Sequence, residues 1–228
     1  MDALILLRLL RLASPALPTG AFAYSQGLEW AVEAGLVRDA ATAADWLAGL
    51  LRESMAGLDL PALARMHAAW TAGDAEAALR ESRELLAWRD NDEARREDRQ
   101  VGASLARILA DDAADALAAN ARRLLAAEAA MTYACAFALA GAGWGCGRRD
   151  TLLAFGWTVA EGQTMAAVKL VPLGQTAGQR ILAATTATVA AAVETALTRI
   201  AEPPCANAPG RALAQLRHAG QRVRLFRS

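Results

Sequence analysis

Ala166-Ala-Val-Lys-Leu-Val-Pro-Leu-Gly-Gln-Thr-Ala-Gly-Gln-Arg180 reads as the end of one helix, a break and the start of another. Pro172 lacks an N–H and its ring clashes with the preceding turn, so a helix arriving from the left ends near Val171. Gly174 permits a turn, and a second helix starts at about Gln175. Lys169 is the only charged residue from Gly162 to Gln179. A lysine in apolar surroundings is costly unless it meets an anion or reaches water. At a helix end the macrodipole also favours a cation. Spacing alone leaves a snorkelling lysine and a functional lysine both open.

Outward from this break, composition gives the same answer. The chain is 55% hydrophobic but only 5% aromatic, with alanine and leucine dominant, which favours helices over sheet. Its 228 residues suffice for one full core. The predicted fold is all-α, one helical-bundle domain of roughly eight to ten helices. Basic and acidic residues balance at 24 each, so no global field attracts nucleic acid. Cys135, Cys146 and Cys205 are odd in number and widely spaced, with only His67 and His218 to join them as zinc ligands. Reduced thiols in a cytoplasmic protein follow. Asp2 precedes the apolar start and Arg8 and Arg11 interrupt it, the wrong order for a signal peptide. Leu124 to Gly147 is long enough to suggest a membrane span, but its alanines and glycines give little transfer energy. It reads as a buried core helix, and no membrane partner is expected.

Taken in order, the first helix covers Asp2 to Leu12, and Ser14-Pro-Ala-Leu-Pro-Thr-Gly20 breaks it into an ordered loop. Ser25 caps a short helix to Glu33, which Gly35 ends. Thr42-Ala-Ala-Asp45 has capping-box spacing, and Pro61 restarts a helix at its favoured first turn. His67 lies on an apolar stripe with Leu63, Met66 and Trp70, where a packed, hydrogen-bonded histidine outweighs a metal ligand. Gly73-Asp74 stops one helix and caps the next. Arg89 to Arg99 mixes charges in the manner of a solvated helix face. Helices follow from about Asp150 to Val171 and from Gln175 to Ile200.

Two motifs bear on chemistry. Asp111-Asp-Ala-Ala-Asp115 has the spacing by which isoprenoid synthases hold Mg²⁺ and diphosphate, but no second acidic cluster answers it. Gly141-Ala-Gly-Trp-Gly-Cys-Gly147 is not a dinucleotide fingerprint, and no phosphate-loop pattern appears anywhere. After Pro203-Pro204 the composition shifts. Arg211 to Ser228 carries five arginines and no acid, with Leu213, Leu216, Val223, Leu225 and Phe226 as apolar anchors. This divides the chain into a helical domain, 1–202, and a linker with a flexible basic tail, 203–228, which folds on a partner. The alternative is a plain docked C-terminal helix.

Three blocks in this order resemble the urease accessory protein UreF family. They are Ala13-Ser-Pro-Ala-Leu-Pro-Thr-Gly-Ala-Phe-Ala-Tyr-Ser-Gln-Gly-Leu-Glu29, the stretch Ala166 to Arg180, and Leu216-Arg-His-Ala-Gly-Gln-Arg-Val-Arg-Leu-Phe-Arg-Ser228. The segment through Gln100-Val-Gly-Ala-Ser-Leu105 is similar too. The chain departs from the family at Ala21 and Ala23, commonly glycine and serine, at Gln26, often histidine, and at Ala219, usually glutamate. The absent histidine and glutamate argue against nickel binding by this chain.

The resemblance implies an all-α homodimer without catalysis of its own. It implies binding to a UreD/UreH-like accessory protein, recruitment of a UreG-like GTPase, and docking on apo-urease for GTP-dependent nickel insertion. Nickel and GTP are then handled by the assembled complex, and this chain holds no cofactor. His218, Arg222, Arg224, Leu225 and Phe226 are expected to meet the UreD/UreH-like protein. Lys169, Gln175, Gln179 and Arg180 are expected near the GTPase surface, and Glu29 is expected to pair with a cation across an interface. The rival readings are a small Mg²⁺-dependent diphosphate-binding enzyme using Asp111, Asp112 and Asp115, and a membrane-associated helical protein.

Overall fold

The computed structural model describes residues 2–112 and 115–227, excluding the side chains of Asp112 and Asp115. Among the described residues the regular structure is helical throughout, as the composition dictates. Helix α1 spans Ala3–Leu12, with the Asp2 carboxylate accepting the Leu4 N–H as its cap. The proline-rich loop follows without a full helix, except for a single 3₁₀ turn at Ala21–Ala23. Helix α2 is short, Leu28–Glu33.

Helix α3, Ala40–Gly49, begins at a capping box built by Asp39 and Thr42, not by the Thr42–Asp45 pair that spacing suggests. The Thr42 hydroxyl instead points back to Asp39 and the Arg38 and Asp39 N–H groups. The chain does not restart at Pro61. It stays helical through a π-helical segment, Leu50–Asp59, directly into α4, Leu60–Thr71. Proline has no N–H for the carbonyl four residues back, here Gly57. The wider winding makes room for the ring, and the Gly57 carbonyl accepts the Cys205 N–H at 3.0 Å instead. One turn earlier, Glu53 O accepts the Asn207 N–H at 2.9 Å. Gly57 is required here, because a Cβ would lie 2.1 Å from Cys205 O.

Helices α5 (Ala75–Ala87), α6 (Asp92–Asp112) and α7 (Asp115–Ala126) wrap one side of the bundle. The apolar stretch from Leu124 is not one helix. It breaks at a 3₁₀ turn, Glu128–Ala130, and Thr132 caps a fresh helix α8, Tyr133–Gly143, by accepting the Cys135 N–H. Every residue of α8 from Ala134 to Gly141 is buried, as an all-apolar helix demands. The Tyr133, Phe137 and Phe155 rings pack around it, Phe137 and Phe155 at 5.1 Å between centroids.

Helix α9, Arg148–Leu170, ends at Val171, and α10, Gln175–Thr198, starts after Gly174, as Pro172 predicts. Among the described residues α10 alone is long and apolar enough to cross a membrane. It packs along α9, α3 and the π-helical segment, burying Ile181, Val189, Val193 and Ala196.

The segment expected to be a flexible tail is folded in this structure. Cys205 and Asn207 pair with the π-helical segment, and α11, Pro209–His218, packs on α2. The tail is docked here as in the alternative reading, held by buried partners that a sequence does not display.

Candidate functional site

Glu29 is the centre of the site. It stands in the first turn of α2, where the Ser25 hydroxyl accepts its N–H, and its side chain is nearly buried. Gly27, at φ +86°, turns the chain into α2 and lets α11 approach. A Cβ at Gly27 would lie 2.8 Å from the Gln215 N and 3.1 Å from the Ala214 Cβ. The Glu29 carboxylate then meets the chain end. It accepts the Leu225 N–H at 2.6 Å, the Phe226 N–H at 2.9 Å, and faces His218 Nε2 at 3.3 Å. Two backbone donors on one buried carboxylate form a charge-assisted clamp that fixes the tail's path.

His218, fully buried at the end of α11, bridges two acids: its Nδ1 lies 3.0 Å from the Glu93 carboxylate. Each ring nitrogen of His218 thus faces a carboxylate oxygen, Nε2 that of Glu29 and Nδ1 that of Glu93. Arg224 completes the cluster. Its guanidinium donates to Glu93 at 2.7 Å and to the carbonyls of Ala219 and Gln221. Gln221 donates to Glu33, and the Arg227 N–H donates to Ala23 O. At the other end of α11, the Arg211 guanidinium reaches Ser54 at 3.0 Å and Gln26 at 3.3 Å, tying the tail to the π-helical segment.

Phe226 is the apolar anchor. It is buried among Leu28, Val37, Leu47, Ala167, Val171 and Ile181, so the α9–α10 break forms part of its socket. Lys169 Nζ sits 5.8 Å from the Phe226 ring centroid, a cation–π distance, with the rest of the side chain exposed. Lys169 thus lies over the socket from outside, and the side chain that Glu29 meets is His218, within this same chain.

The expected site residues thus fall in two layers. Glu29, His218 and Phe226 are buried and hold the tail. Lys169, Gln175, Gln179 and Arg180 are exposed around the α9–α10 break, while Arg222 and Arg224 are exposed on the tail. The clamp turns Val223 and Leu225 outward, 86% and 65% exposed, and α11 adds Leu213 and Leu216. Glu93 was not legible as part of the site, because it lies in the run read as a solvated face. That run is solvated only in part: Asn91, Ala94 and Asp98 are buried, while Asp90, Asp92, Arg96 and Arg99 are exposed. Arg89 bridges Asp59 at 2.7 Å and Asp98 at 2.6 Å, all three nearly buried, and Asp98 also accepts the Tyr133 N–H. Burial opposes the Arg89 charge, yet the two carboxylates outweigh it and hold its pKa above the ordinary arginine range. The only sequence signal for Glu93 is an excess of arginines without acids in the tail that needs a counter-charge elsewhere.

Of the diphosphate motif, Asp111 is exposed at the end of α6. The side chains of Asp112 and Asp115 lie outside the described residues. Cys135 and Cys146 are buried and Cys205 is exposed, all unpaired, and burial pushes the Cys135 thiol up to about 12. His67 is packed, with Nε2 3.0 Å from Cys146 O.

Residues 37–186 match the family model described as UreF. The chain is 47% identical to the urease accessory protein UreF of Azoarcus sp. (strain BH72), covering 98% of this chain and 95% of that protein. It is 45% identical to the urease accessory protein UreF of Alkalilimnicola ehrlichii, over 97% and 95% of the two chains. It is 43% identical to the urease accessory protein UreF 2 of Brucella anthropi, over 99% and 97%. These relatives bear the names of accessory proteins, not of enzymes.

Proposed function

Because this chain belongs to the UreF family of urease accessory proteins, we propose that it is a non-catalytic scaffold for urease maturation. It works in the cytoplasm as a homodimer, joins a UreD/UreH-like protein to a UreG-like GTPase, and docks on apo-urease. The assembly delivers nickel as cargo in a GTP-dependent step, and neither nickel nor GTP is a resident cofactor of this chain.

The observation that supports this reading best is the clamped tail. Glu29, His218 and Phe226 spend their chemistry inward, so that Arg222, Val223 and Leu225 face outward on a fixed backbone. Exposed apolar side chains flanked by arginines suit a protein partner, and ordering them in advance lowers the entropy cost of binding. The UreD/UreH-like protein takes this surface. The second surface, with Lys169, Gln175, Gln179 and Arg180, takes the GTPase.

Separate variants test the two surfaces. Arg222→Glu with Leu225→Asp leaves the clamp intact and is expected to abolish copurification with the UreD/UreH-like protein at unchanged Tm. Lys169→Ala loses a cation–π contact of about 0.5–1 kcal/mol and is expected to impair GTPase recruitment far more than stability. A large fall in Tm with normal recruitment would show Lys169 to be structural only.

A further inference from the structure

A second surface feature lies away from the tail's outer face. Arg99, Arg107 and Arg227 border one groove of about 560 Å³. All three are exposed, and among the described residues none has a carboxylate within ion-pair distance. Glu128 is the only acid among the lining residues. In a chain with no net charge, three guanidiniums against one carboxylate on a single groove leave a local positive field.

The groove is built, not incidental. Its walls are the loop through Gly20, one face of α6 and the chain end. The Tyr24 hydroxyl is hydrogen-bonded to the Gln100 side chain, which pins the loop to α6. The Arg227 N–H on Ala23 O pins the chain end to the loop. Arg227 is therefore placed at the groove by the same clamp that holds the tail.

Spacing decides the ligand class. Arg99 and Arg107 are eight residues apart on one helix, about 12 Å along its axis. A single phosphate or carboxylate reaches one of them at a time. An extended peptide rises about 3.3 Å per residue, so acids four positions apart stand about 13 Å apart and meet both. Ala103, which stands between Arg99 and Arg107 on α6, lines the groove together with Leu125 and Met131, and these apolar residues suit those between the acids.

We propose that this groove docks an extended acidic segment of a partner protein. The proposal goes beyond the scaffold reading and does not depend on which proteins meet the tail or the α9–α10 surface. The test uses the full chain and a fluorescent peptide with glutamates four positions apart, its glutamine twin, and inorganic pyrophosphate as competitor. The glutamate peptide is expected to bind and to weaken steeply with salt, since exposed charges are screened beyond about 10 Å at 0.1 M. The glutamine twin is expected not to bind, and pyrophosphate to compete only weakly. Arg99→Glu with Arg107→Glu should weaken peptide binding at least tenfold at unchanged Tm, and Arg107→Ala alone should weaken it measurably. Equal binding of the two peptides, undiminished binding by the double variant, or pyrophosphate binding as tightly as the peptide would each overturn the proposal. The last outcome would mark a site for small anions only.

Discussion

Replacing Glu29 by glutamine keeps the shape of the clamp and removes its charge. The carboxylate now accepts the Leu225 and Phe226 N–H groups and faces the His218 imidazole. A glutamine offers one oxygen to these donors, and its amide N–H₂ must face another donor. One charge-assisted bond is lost and the others weaken, at about 1.5–3 kcal/mol for a bond to a charged group. A total of about 2–4 kcal/mol follows, since the Phe226 N–H is buried and is left unsatisfied. At 1.4 kcal/mol per factor of ten, the tail should open roughly thirty- to seven-hundred-fold more often. The assay is amide hydrogen exchange in the free protein. Protection at Leu225 and Phe226 should fall by that factor, while protection in α8, far from the clamp, should not change. Unchanged protection at Leu225 and Phe226 would refute the idea that Glu29 holds the tail.

Other perturbations separate the remaining forces. Arg89→Met strands the Asp59 and Asp98 carboxylates in a nearly buried site and should cost about 3–5 kcal/mol, read as a fall in Tm of about 6–20 °C. Gly57→Ala places a Cβ against Cys205 O and should push the linker off the π-helical segment, seen as faster proteolysis between Glu202 and Asn207 with α8 still protected. Burial lowers the pKa of His67 below its ordinary 6.5. As pH falls below that value the unfolded chain gains the proton first, so this group's stabilisation is lost as pH drops through its folded value. The fall in Tm between about pH 7 and about pH 5 should therefore be smaller in His67→Gln than in the parent protein.

What the sequence made legible was mostly local. Pro172 and Gly174 end α9 and start α10, Asp74 caps α5, and the prolines around Pro15 and Pro18 keep the second segment from being a helix, all through backbone geometry that a few residues determine. Pro61 misled because its effect is decided at long range. A proline inside a helix is tolerated when another segment takes the freed carbonyl, and here that segment arrives about 145 residues later at Cys205. The Arg89 to Arg99 run misled for a similar reason: alternating charges look alike whether their partners are water or Asp59. The break at Thr132 within the apolar stretch has only a weak local sign, a hydroxyl cap amid alanines. At the site, the three blocks that resemble one family did contain Glu29, Lys169, His218 and Phe226. Their division into a buried clamp and an exposed face was not legible, since it needs the ends of the chain brought together.

The most direct test of the scaffold account is the nickel content of urease expressed with its other accessory proteins, with this chain present or omitted. Urease should fill with nickel and become active only when the chain is present, and the Arg222→Glu with Leu225→Asp variant should behave as an omission. Normal nickel loading without the chain would contradict the account.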